Sequence, residues 1–264
     1  MLPPPLLRAM INGVILIGFF VMVLAGAVKG MVGMGMPTVA IGLLTLVLPP
    51  AQAVALLIIP AAFTNVWQYA TGPGAGATAR RFASMMAAMT LGTFIGGFGI
   101  GGLDSPFTLP AMGTVMICYG LLGLASVPLH LPPRWEQPLA PLVGLATGVI
   151  NGMTSMAMLP AVVFFKALGL GRDDMVQALG LNFMVASFAM MPILMWPGSS
   201  GAPLLDPWII GASIAALLPA GLGLNLGRRL RIMASPEIFS RIFFGFLTLL
   251  GTYMAVRGVL KLAA

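Results

Sequence analysis

The stretch Gly26-Ala-Val-Lys-Gly-Met-Val-Gly-Met-Gly35 puts one lysine, Lys29, between glycines inside a long apolar segment. A charged side chain inside a membrane segment is costly, so it marks a functional site by default. The surrounding glycines indicate a helix that stops and restarts here, since glycine adopts backbone conformations that other residues avoid. A weaker copy, Gly148-Val-Ile-Asn-Gly-Met-Thr-Ser-Met-Ala157, follows 122 residues later and suggests two halves that meet at one site.

Composition places the chain in a lipid bilayer. Of its 264 residues, 59% are hydrophobic and 7% are charged, and the mean hydropathy is +1.04. Soluble domains carry about 25% charged residues, so this chain cannot cover a water-exposed surface. Long apolar runs occur throughout, and no stretch is polar enough to form a soluble domain. We therefore predict a single membrane transporter domain over residues 1–264.

The charge distribution predicts the orientation in the membrane. The formal net charge is +7, and the basic residues cluster in loops between apolar segments, as the positive-inside rule expects. Because this rule explains the excess, we expect no nucleic-acid partner. Placing Arg80 and Arg81 in the cytoplasm also puts Arg134, Arg172 and Arg228 there, and both termini then lie outside.

Ten apolar segments are separated by breaks rich in proline and glycine, and helices are the expected spanning elements because strict alternation is absent. The segments cover approximately residues 11–29, 35–48, 52–71, 82–102, 107–127, 138–152, 156–168, 175–196, 207–227 and 237–260. At about 1.5 Å per residue, 36–48 and 156–168 reach about 20 Å, less than a hydrocarbon core of about 30 Å. These two should be half-helices, either strongly broken spans or re-entrant segments.

The comparison of the two glycine stretches extends to two related halves of the chain. Residues 26–57 and 148–179 align without gaps, and nine of the aligned pairs are identical. We define repeat A as residues 11–127 and repeat B as residues 138–260. Each repeat has five segments, an odd number, so the second should enter the membrane from the opposite side. This predicts an all-α polytopic membrane protein built as an inverted repeat.

The glycine stretches favour an anion-binding site. Free backbone N–H groups at a helix start carry partial positive charge, and glycines let a ligand approach them closely. Residues 33–35 are the candidate donors in the first copy, and residues 154–156 are their counterparts, with hydroxyl groups as additional donors. Lys29 would supply a full positive charge, and Asn151 would be its neutral partner across the pseudo-symmetry axis.

Other polar side chains inside apolar segments extend this candidate site. Asn65 and Gln68 lie with Thr64 in the third segment, and Asn182 lies with Ser187 in the eighth. Buried amides need hydrogen-bond partners, so these residues either line the site or join helices to one another. The residues that we predict to bind substrate are Lys29, Gly30, Gly33, Met34, Gly35, Asn65, Gln68, Asn151, Gly152, Thr154, Ser155 and Asn182.

Each of these interpretations has a structural alternative. Lys29 could snorkel from a helix end to the membrane interface instead of binding a ligand. The pairs Gly26/Gly30 and Gly148/Gly152 have the spacing of small residues that lets helices associate closely. This packing and a binding role can hold together.

Enzymatic and metal functions have less support in the sequence. No phosphate loop, nucleophile–base pair or metal-binding His/Glu motif is present, so we expect neither an enzyme nor a cofactor. The 21 methionines leave copper transport as a weaker alternative, because the chain has only one His and one Cys to complete a metal site. A proton relay through a membrane carboxylate is not expected, because all six carboxylates fall in or beside loops: Asp104, Glu136, Asp173, Asp174, Asp206 and Glu237.

The first glycine stretch, continued through Met36-Pro37 and Leu48-Pro-Pro-Ala-Gln-Ala-Val54, resembles the first half of the TauE/SafE sulfite exporter family, also called the TSUP family. The pattern Lys-Gly-x-x-Gly-x-Gly-x-Pro resembles one branch of it. Residues 148–154 and the run Leu168-Gly-Leu-Gly-Arg-Asp-Asp174 are similar to the second half. The resemblance covers nearly the whole chain.

This resemblance implies a multi-pass permease of the bacterial inner membrane that moves sulfite, sulfonates or related small anions. It points to Lys29, Gly30, Gly33 and Gly35, then to Asn151 and Gly152. The chain departs from the family pattern at three positions, which are Met36, Ser155 and Ala157.

The sequence therefore predicts a secondary transporter that moves small organic or sulfur-containing anions by alternating access. A passive anion channel is the main alternative, and a membrane scaffold is a further one. The expected partners are a small anionic substrate and the lipid bilayer, and the sequence is compatible with a homodimer.

Overall fold

The structure is a computed structural model, and it describes residues 4–125, 129–197, 203–233 and 236–263. Regular secondary structure in these ranges is entirely helical. The α-helices are α1 (Pro4–Val32), α2 (Met36–Leu44), α3 (Pro50–Ala70), α4 (Ala75–Arg81), α5 (Ala83–Phe94), α6 (Thr108–Ala125), α7 (Glu136–Thr154), α8 (Ala161–Ala167), α9 (Arg172–Met195), α10 (Pro207–Ala215), α11 (Leu217–Met233) and α12 (Pro236–Ala263). The all-α prediction is confirmed.

Each apolar segment of the sequence contains a helix, and the main differences lie at two places. A helix that we did not predict, α4, occupies the loop before the fourth segment, where it is rich in alanine and ends on two arginines that favour the helix C-terminus. The segment 207–227 is divided into α10 and α11 at Ala216, three residues before Pro219. The last two residues of segment 107–127 lie outside the described residues.

Six helices of the described chain are long and apolar enough to cross a membrane, and a bent pair raises this number to seven. The six candidates lie within α1, α3, α6, α9, α12 and the combined range of α10 and α11. The bent pair is α4 with α5 and its π-helical extension Ile95–Gly99, and the bend is 67°. The chain is therefore a multi-pass membrane protein.

The two short helices cannot span a bilayer. α2 has nine residues and α8 has seven, so they extend over about 14 Å and about 10 Å, against a hydrocarbon core of about 30 Å. The prediction of half-helices after each glycine stretch is confirmed. Helix α2 is almost wholly buried, as are most residues of α8, so both lie inside the bundle.

Glycines let two helix pairs approach until their backbones touch. A Cβ atom on Gly26 would overlap the carbonyl oxygen of Ala220, and one on Gly30 would overlap that of Leu224, which brings α1 against α11. α7 meets α5 in the same way. There, Cβ atoms on Gly148 and Gly152 would overlap the carbonyl oxygens of Met89 and Thr93, respectively. The small-residue spacing in the sequence is thus used for helix packing.

These contacts repeat with fixed offsets. Gly26 and Gly148 are 122 residues apart, whereas their contact residues Met89 and Ala220 are 131 apart. The reverse contacts follow the same rule, because Gly92 and Gly223 face the carbonyl oxygens of Leu145 and Val23, respectively. The α1–α11 pair and the α5–α7 pair are therefore equivalent in detail.

The remaining large helix contacts join equivalent helices to each other. α6 packs against α12, where Gly120 faces Phe244 and Thr248 while Gly251 faces Gly113 and Ile117. These contacts are again related by 131 residues, and they run in opposite directions along the two helices. α3 packs against α9, with the C-terminal end of α3 at the N-terminal end of α9. Both pairs are thus antiparallel.

Candidate functional site

The first glycine stretch ends one helix and begins another, as predicted. α1 ends at Val32, and Gly33 and Gly35 have positive φ angles of 83° and 94° before α2 begins at Met36. Because side chains other than glycine are strained in this region, the two glycines make the sharp turn between α1 and α2.

The second stretch breaks its helix but does not restart it directly. α7 ends at Thr154, and the next helix begins only at Ala161. The expectation that residues 154–156 lie at a helix start is therefore wrong. Ser155, the counterpart of Gly33, has a φ of 56°, the positive-φ conformation that favours glycine.

Most of the predicted N–H donors already have acceptors. The Gly33 N–H donates to the Lys29 carbonyl at 2.8 Å, and the Ser155 N–H donates to the Asn151 carbonyl at 2.6 Å. The Met156 N–H donates to the Thr154 hydroxyl at 3.2 Å. Helix ends satisfy their terminal groups locally, which a sequence pattern does not show. Within the described chain, the N–H groups of Met34 and Gly35 have no acceptor, so the candidate donors narrow to these two.

Replacing Ser155 with glycine is expected to stabilise the protein by about 1 kcal/mol, because the left-handed conformation costs a residue with a Cβ atom about 1–2 kcal/mol. Thermal unfolding in detergent should shift upward by a few degrees. Ser155→Ala is the matched control, since it removes the hydroxyl but keeps the Cβ atom and the strain. An equal gain in both variants would assign the effect to the hydroxyl instead.

Lys29 lies inside the protein and makes contacts with α3. Its side chain is 5% exposed, and its Nζ donates to the Thr64 hydroxyl at 3.0 Å and to the Asn65 side-chain oxygen. Within the described residues it has no carboxylate partner, and the ion pair there joins Arg81 to Glu136. The amine thus points to α3 and not to a membrane interface, which is the geometry opposite to snorkelling.

Lys29 lies on the wall of a large cavity of about 840 Å³ between α1, α3, α9 and α11. Gly30, Gly33 and Gln68 also line this cavity. Its other walls carry aromatic and apolar side chains, two arginines and one carboxylate: Phe63, Trp67, Leu217, Leu224, Arg228, Arg231 and Asp173. Arg228 and Arg231 belong to the loop-side charges that the positive-inside rule places in the cytoplasm.

A second, small cavity of about 20 Å³ lies between the two helix breaks. It is large enough to hold about one water molecule. Gly35 lines it from the first break and Ser155 from the second, while Asn151 contributes from α7. Residues of α3 and α9 complete the wall, and they include Asn65 and its counterpart Ser187. The structure thus brings the two glycine stretches together at one point.

Asn65 lies between the two cavities. Its side-chain oxygen accepts from Lys29, on the wall of the large cavity, while Asn65 itself lines the small one. Its amide nitrogen is buried and has no partner in the described chain. A buried, unpaired donor costs about 1–3 kcal/mol, so this nitrogen is available to an acceptor that enters the small cavity.

The other predicted amides have mainly structural contacts. Asn151 donates to the Thr93 hydroxyl at 3.3 Å and to the Ala186 carbonyl at 3.2 Å. Asn182 donates to the Ala157 carbonyl at 2.9 Å, and its side-chain oxygen has no partner in the described chain. These bonds hold the second break against α5 and α9.

Four further predicted residues are held by contacts within the bundle. Gln68 donates to the Val176 carbonyl at 2.8 Å, and the Met34 sulfur accepts from the Tyr119 hydroxyl at 3.1 Å. The Thr154 hydroxyl donates to the Ile150 carbonyl at 2.6 Å. Gly152 lies in the α5–α7 contact and, unlike Gly30, lines neither cavity.

Sequence reasoning missed the charged wall of the large cavity. From the sequence alone, the arginines of this wall, Arg228 and Arg231, are interpreted only as loop charges that set the orientation, and Asp173 only as a carboxylate in or beside a loop. Thr38, which lines the small cavity, was also missed because it lies three residues beyond the end of the glycine stretch at Gly35. The available signal for the two arginines was their clustering directly after the apolar segment 207–227, which contains Gly221 and Gly223.

The family model for "Sulfite exporter TauE/SafE" matches residues 18–254, which is nearly the whole chain. No curated protein and no solved structure matches the chain. The matched range includes both helix breaks, Lys29 and the walls of both cavities. The chain therefore belongs to the sulfite exporter TauE/SafE family of membrane transporters.

Proposed function

We propose that this protein is a secondary transporter that moves small organic or sulfur-containing anions, such as sulfite or a sulfonate, by alternating access. The anion enters the large cavity, binds beside Lys29 and passes Asn65 toward the helix breaks. The substrate-binding residues are those on the cavity walls at this junction, chiefly Lys29, Thr64, Asn65, Gly35 and Ser155.

The observation that carries this proposal is the buried amino group of Lys29, which has no carboxylate partner among the described residues. The protonated form of such a group costs several kcal/mol away from water unless an opposite charge compensates it. Thr64 and Asn65 supply only neutral oxygens, and Lys29 lies on the wall of an open cavity. An anion in this cavity would supply the missing charge, as functional charges in membranes usually require.

The cavity walls favour anions before they reach Lys29. Arg228 and Arg231 raise the local concentration of anions, whereas Asp173 is the opposing charge. Phe63 and Trp67 add aromatic surface, which suits an anion with an apolar body as well as an inorganic one.

An inverted repeat is part of the proposal, with residues 11–127 and 138–260 as its halves in one domain. The equivalent glycine contacts at offsets of 122 and 131 residues support it, as do the antiparallel pairs α3–α9 and α6–α12. In an inverted repeat, equivalent helices run in opposite directions, whereas a parallel repeat would keep their direction.

The two ends of the proposed pathway differ, which supports an inward-facing state. Thr71 and Arg228 line the open cavity at the loop side rich in arginine. At the offset of 122 residues the counterpart of Thr71 is Ile193, and at the offset of 131 residues the counterpart of Arg228 is Gly97. The Ile193 side chain lies directly against Gly97. Phe98 and Trp196 extend this contact, with ring centroids 6.0 Å apart. Alternating access would open this contact while the arginine side closes.

We place the protein in the inner membrane of a bacterium, with the arginine loops in the cytoplasm, and retain the homodimer as part of the hypothesis. The positive-inside distribution supports this orientation. The open cavity then faces the cytoplasm, which is the side from which an exporter takes its substrate.

Transport by the purified full-length protein in proteoliposomes tests the function. We expect saturable uptake of at least one labelled anion from a panel of sulfite, thiosulfate, isethionate and acetate, and counterflow when the vesicles contain the same unlabelled anion. Counterflow requires a carrier, because a channel does not exchange one anion for another against a gradient. Single-channel currents without counterflow would support the passive channel, and no transport of any anion would contradict both.

A further inference from the structure

A neutral amine can make both hydrogen bonds that Lys29 makes within the protein. An ammonium group has three N–H donors, whereas an uncharged amine has two. The structure gives Nζ two acceptors, Thr64 Oγ1 and Asn65 Oδ1. The Thr64 hydroxyl donates its own proton to the Pro60 carbonyl at 2.8 Å, so its oxygen is free to accept from Lys29. Nζ has no third partner in the described chain, and Lys29 lies on the wall of the large cavity.

The second half of the protein has a group with two N–H donors at the equivalent position. Asn151 is 122 residues after Lys29, and its Nδ2 donates to the Ala186 carbonyl and to the Thr93 hydroxyl. Ala186 is in turn 122 residues after Thr64. A neutral group with two donors therefore occupies this position beside α9, and Lys29 with two donors makes the corresponding bond to α3.

No charge from neighbouring helices is bonded to Lys29 in the described chain. α2 has no charged residue, and the side chains of α3 that face Lys29 are the neutral Thr64 and Asn65. α9 contributes Asp173 to the cavity wall, and α11 contributes Arg228 and Arg231. Two cations and one carboxylate thus line the same cavity as Lys29, and the balance of these three charges is positive.

We propose, as an extension of the proposed transport function, that Lys29 carries a proton together with each monovalent anion. In the empty carrier Lys29 is an amine bonded to Thr64 and Asn65. When the anion binds, a proton from solvent on the same side adds to the Nζ lone pair, and the new N–H donates to the anion. On the other side the N–H bond breaks, and the proton and the anion leave together.

This cycle moves no net charge. The loaded site contains one ammonium and one anion, and the empty site contains one neutral amine, so neither half of the cycle carries an unpaired buried charge. The site thus avoids the cost of moving an isolated cation through the protein. The direction of net transport then follows the pH gradient and the anion gradient, not the membrane potential.

Isethionate is the suitable probe because its sulfonate stays ionised, so that any coupled proton must be carried by the protein and not by the anion. Proteoliposomes containing the full-length protein are clamped at zero potential by valinomycin with equal potassium on both sides. With the outside one pH unit more acidic than the inside, we expect isethionate to accumulate about tenfold at equilibrium. A potassium diffusion potential without a pH gradient should leave uptake unchanged. Uptake that follows the potential and ignores pH would overturn the coupling.

Lys29→Arg provides a second test, since a guanidinium does not lose its proton. We expect this variant to retain isethionate exchange above the level of protein-free vesicles and to lose pH-driven accumulation, with a final ratio near one. Lys261→Arg, an exposed position near the end of α12, is the matched control and should accumulate isethionate like the natural protein. Tenfold accumulation by Lys29→Arg would contradict the proposal.

The tests separate the two proposals. Voltage-driven isethionate uptake by the natural protein would leave the transport function in place and reject only the proton coupling. No uptake and no counterflow of isethionate would contradict the transport function for sulfonates, and the coupling with it. If Lys29→Arg does not fold, as judged by thermal unfolding and gel filtration, the measurements on the natural protein decide the question without it.

Discussion

Gly148→Ala is expected to destabilise the protein by more than about 3 kcal/mol and to prevent recovery of a monodisperse sample from the membrane. A Cβ atom at this position would overlap the carbonyl oxygen of Met89 and lie 2.8 Å from the amide nitrogen of Thr93. Both contacts are to backbone, which cannot move aside without separating α7 from α5. Overpacking of ordinary core side chains costs about 1–3 kcal/mol, and rigid backbone contact exceeds this.

Gly245→Ala is the matched control for this prediction. Gly245 lies in α12, and a Cβ atom there would have no neighbour within 4 Å. Alanine is favoured over glycine in helices by about 1 kcal/mol, so this variant should be as stable as the natural protein or slightly more so. Thermal unfolding in detergent measures both changes. Equal stability of the two variants would contradict the close approach of α5 and α7.

Lys29→Met is expected to lower the initial rate of anion uptake at least about 100-fold, corresponding to a loss of about 3 kcal/mol of binding and transition-state stabilisation. Methionine keeps the length and flexibility of the side chain but removes its charge and its donors. The fold should tolerate the change, because replacing a buried amino group that lacks a carboxylate partner with an apolar side chain of similar size is close to neutral for stability. Uptake should therefore fall while the thermal unfolding temperature stays nearly unchanged.

The control for this variant is Lys166→Met, which removes an exposed lysine from the last turn of α8. This change also replaces a lysine with methionine but lies away from both the large cavity and the small one. Its uptake rate should stay within about twofold of the natural value. Undiminished transport by Lys29→Met would show that the lysine has no role in moving the anion.

Much of the fold could be predicted because local signals determine it. Apolar length, prolines and glycines located the helices, and Gly33 and Gly35 located the break between α1 and α2. The missing parts depend on packing between distant segments. The availability of an N–H group depends on how the preceding helix ends, so the pattern could not show that the donor of Gly33 is already bonded to Lys29.

The candidate site could likewise be predicted only where its residues have a local signal in the sequence. Lys29 stood out because a charge in an apolar segment needs an explanation, and Asn65 stood out as a membrane amide. Arg228 and Arg231 did not, because arginines at a helix end are common at the cytoplasmic side of any membrane protein. The left-handed conformation of Ser155 could have been predicted from its alignment with Gly33, although a serine alone does not indicate it.

The replacement of Lys29 by Asn151 in the second half has a consequence for the resting protein. If both halves were chemically identical, the carrier open to one side would have the same energy as the carrier open to the other. In the proposed repeat, Lys29 corresponds to Asn151 and Arg228 corresponds to Gly97. Under the proposed alternating access, the two orientations would therefore expose different charges to water. The empty protein should then favour the orientation in which the large, arginine-lined cavity is open. Such a preference would make transport faster in one direction than in the other, because leaving the favoured orientation is the slower reorientation of the empty carrier.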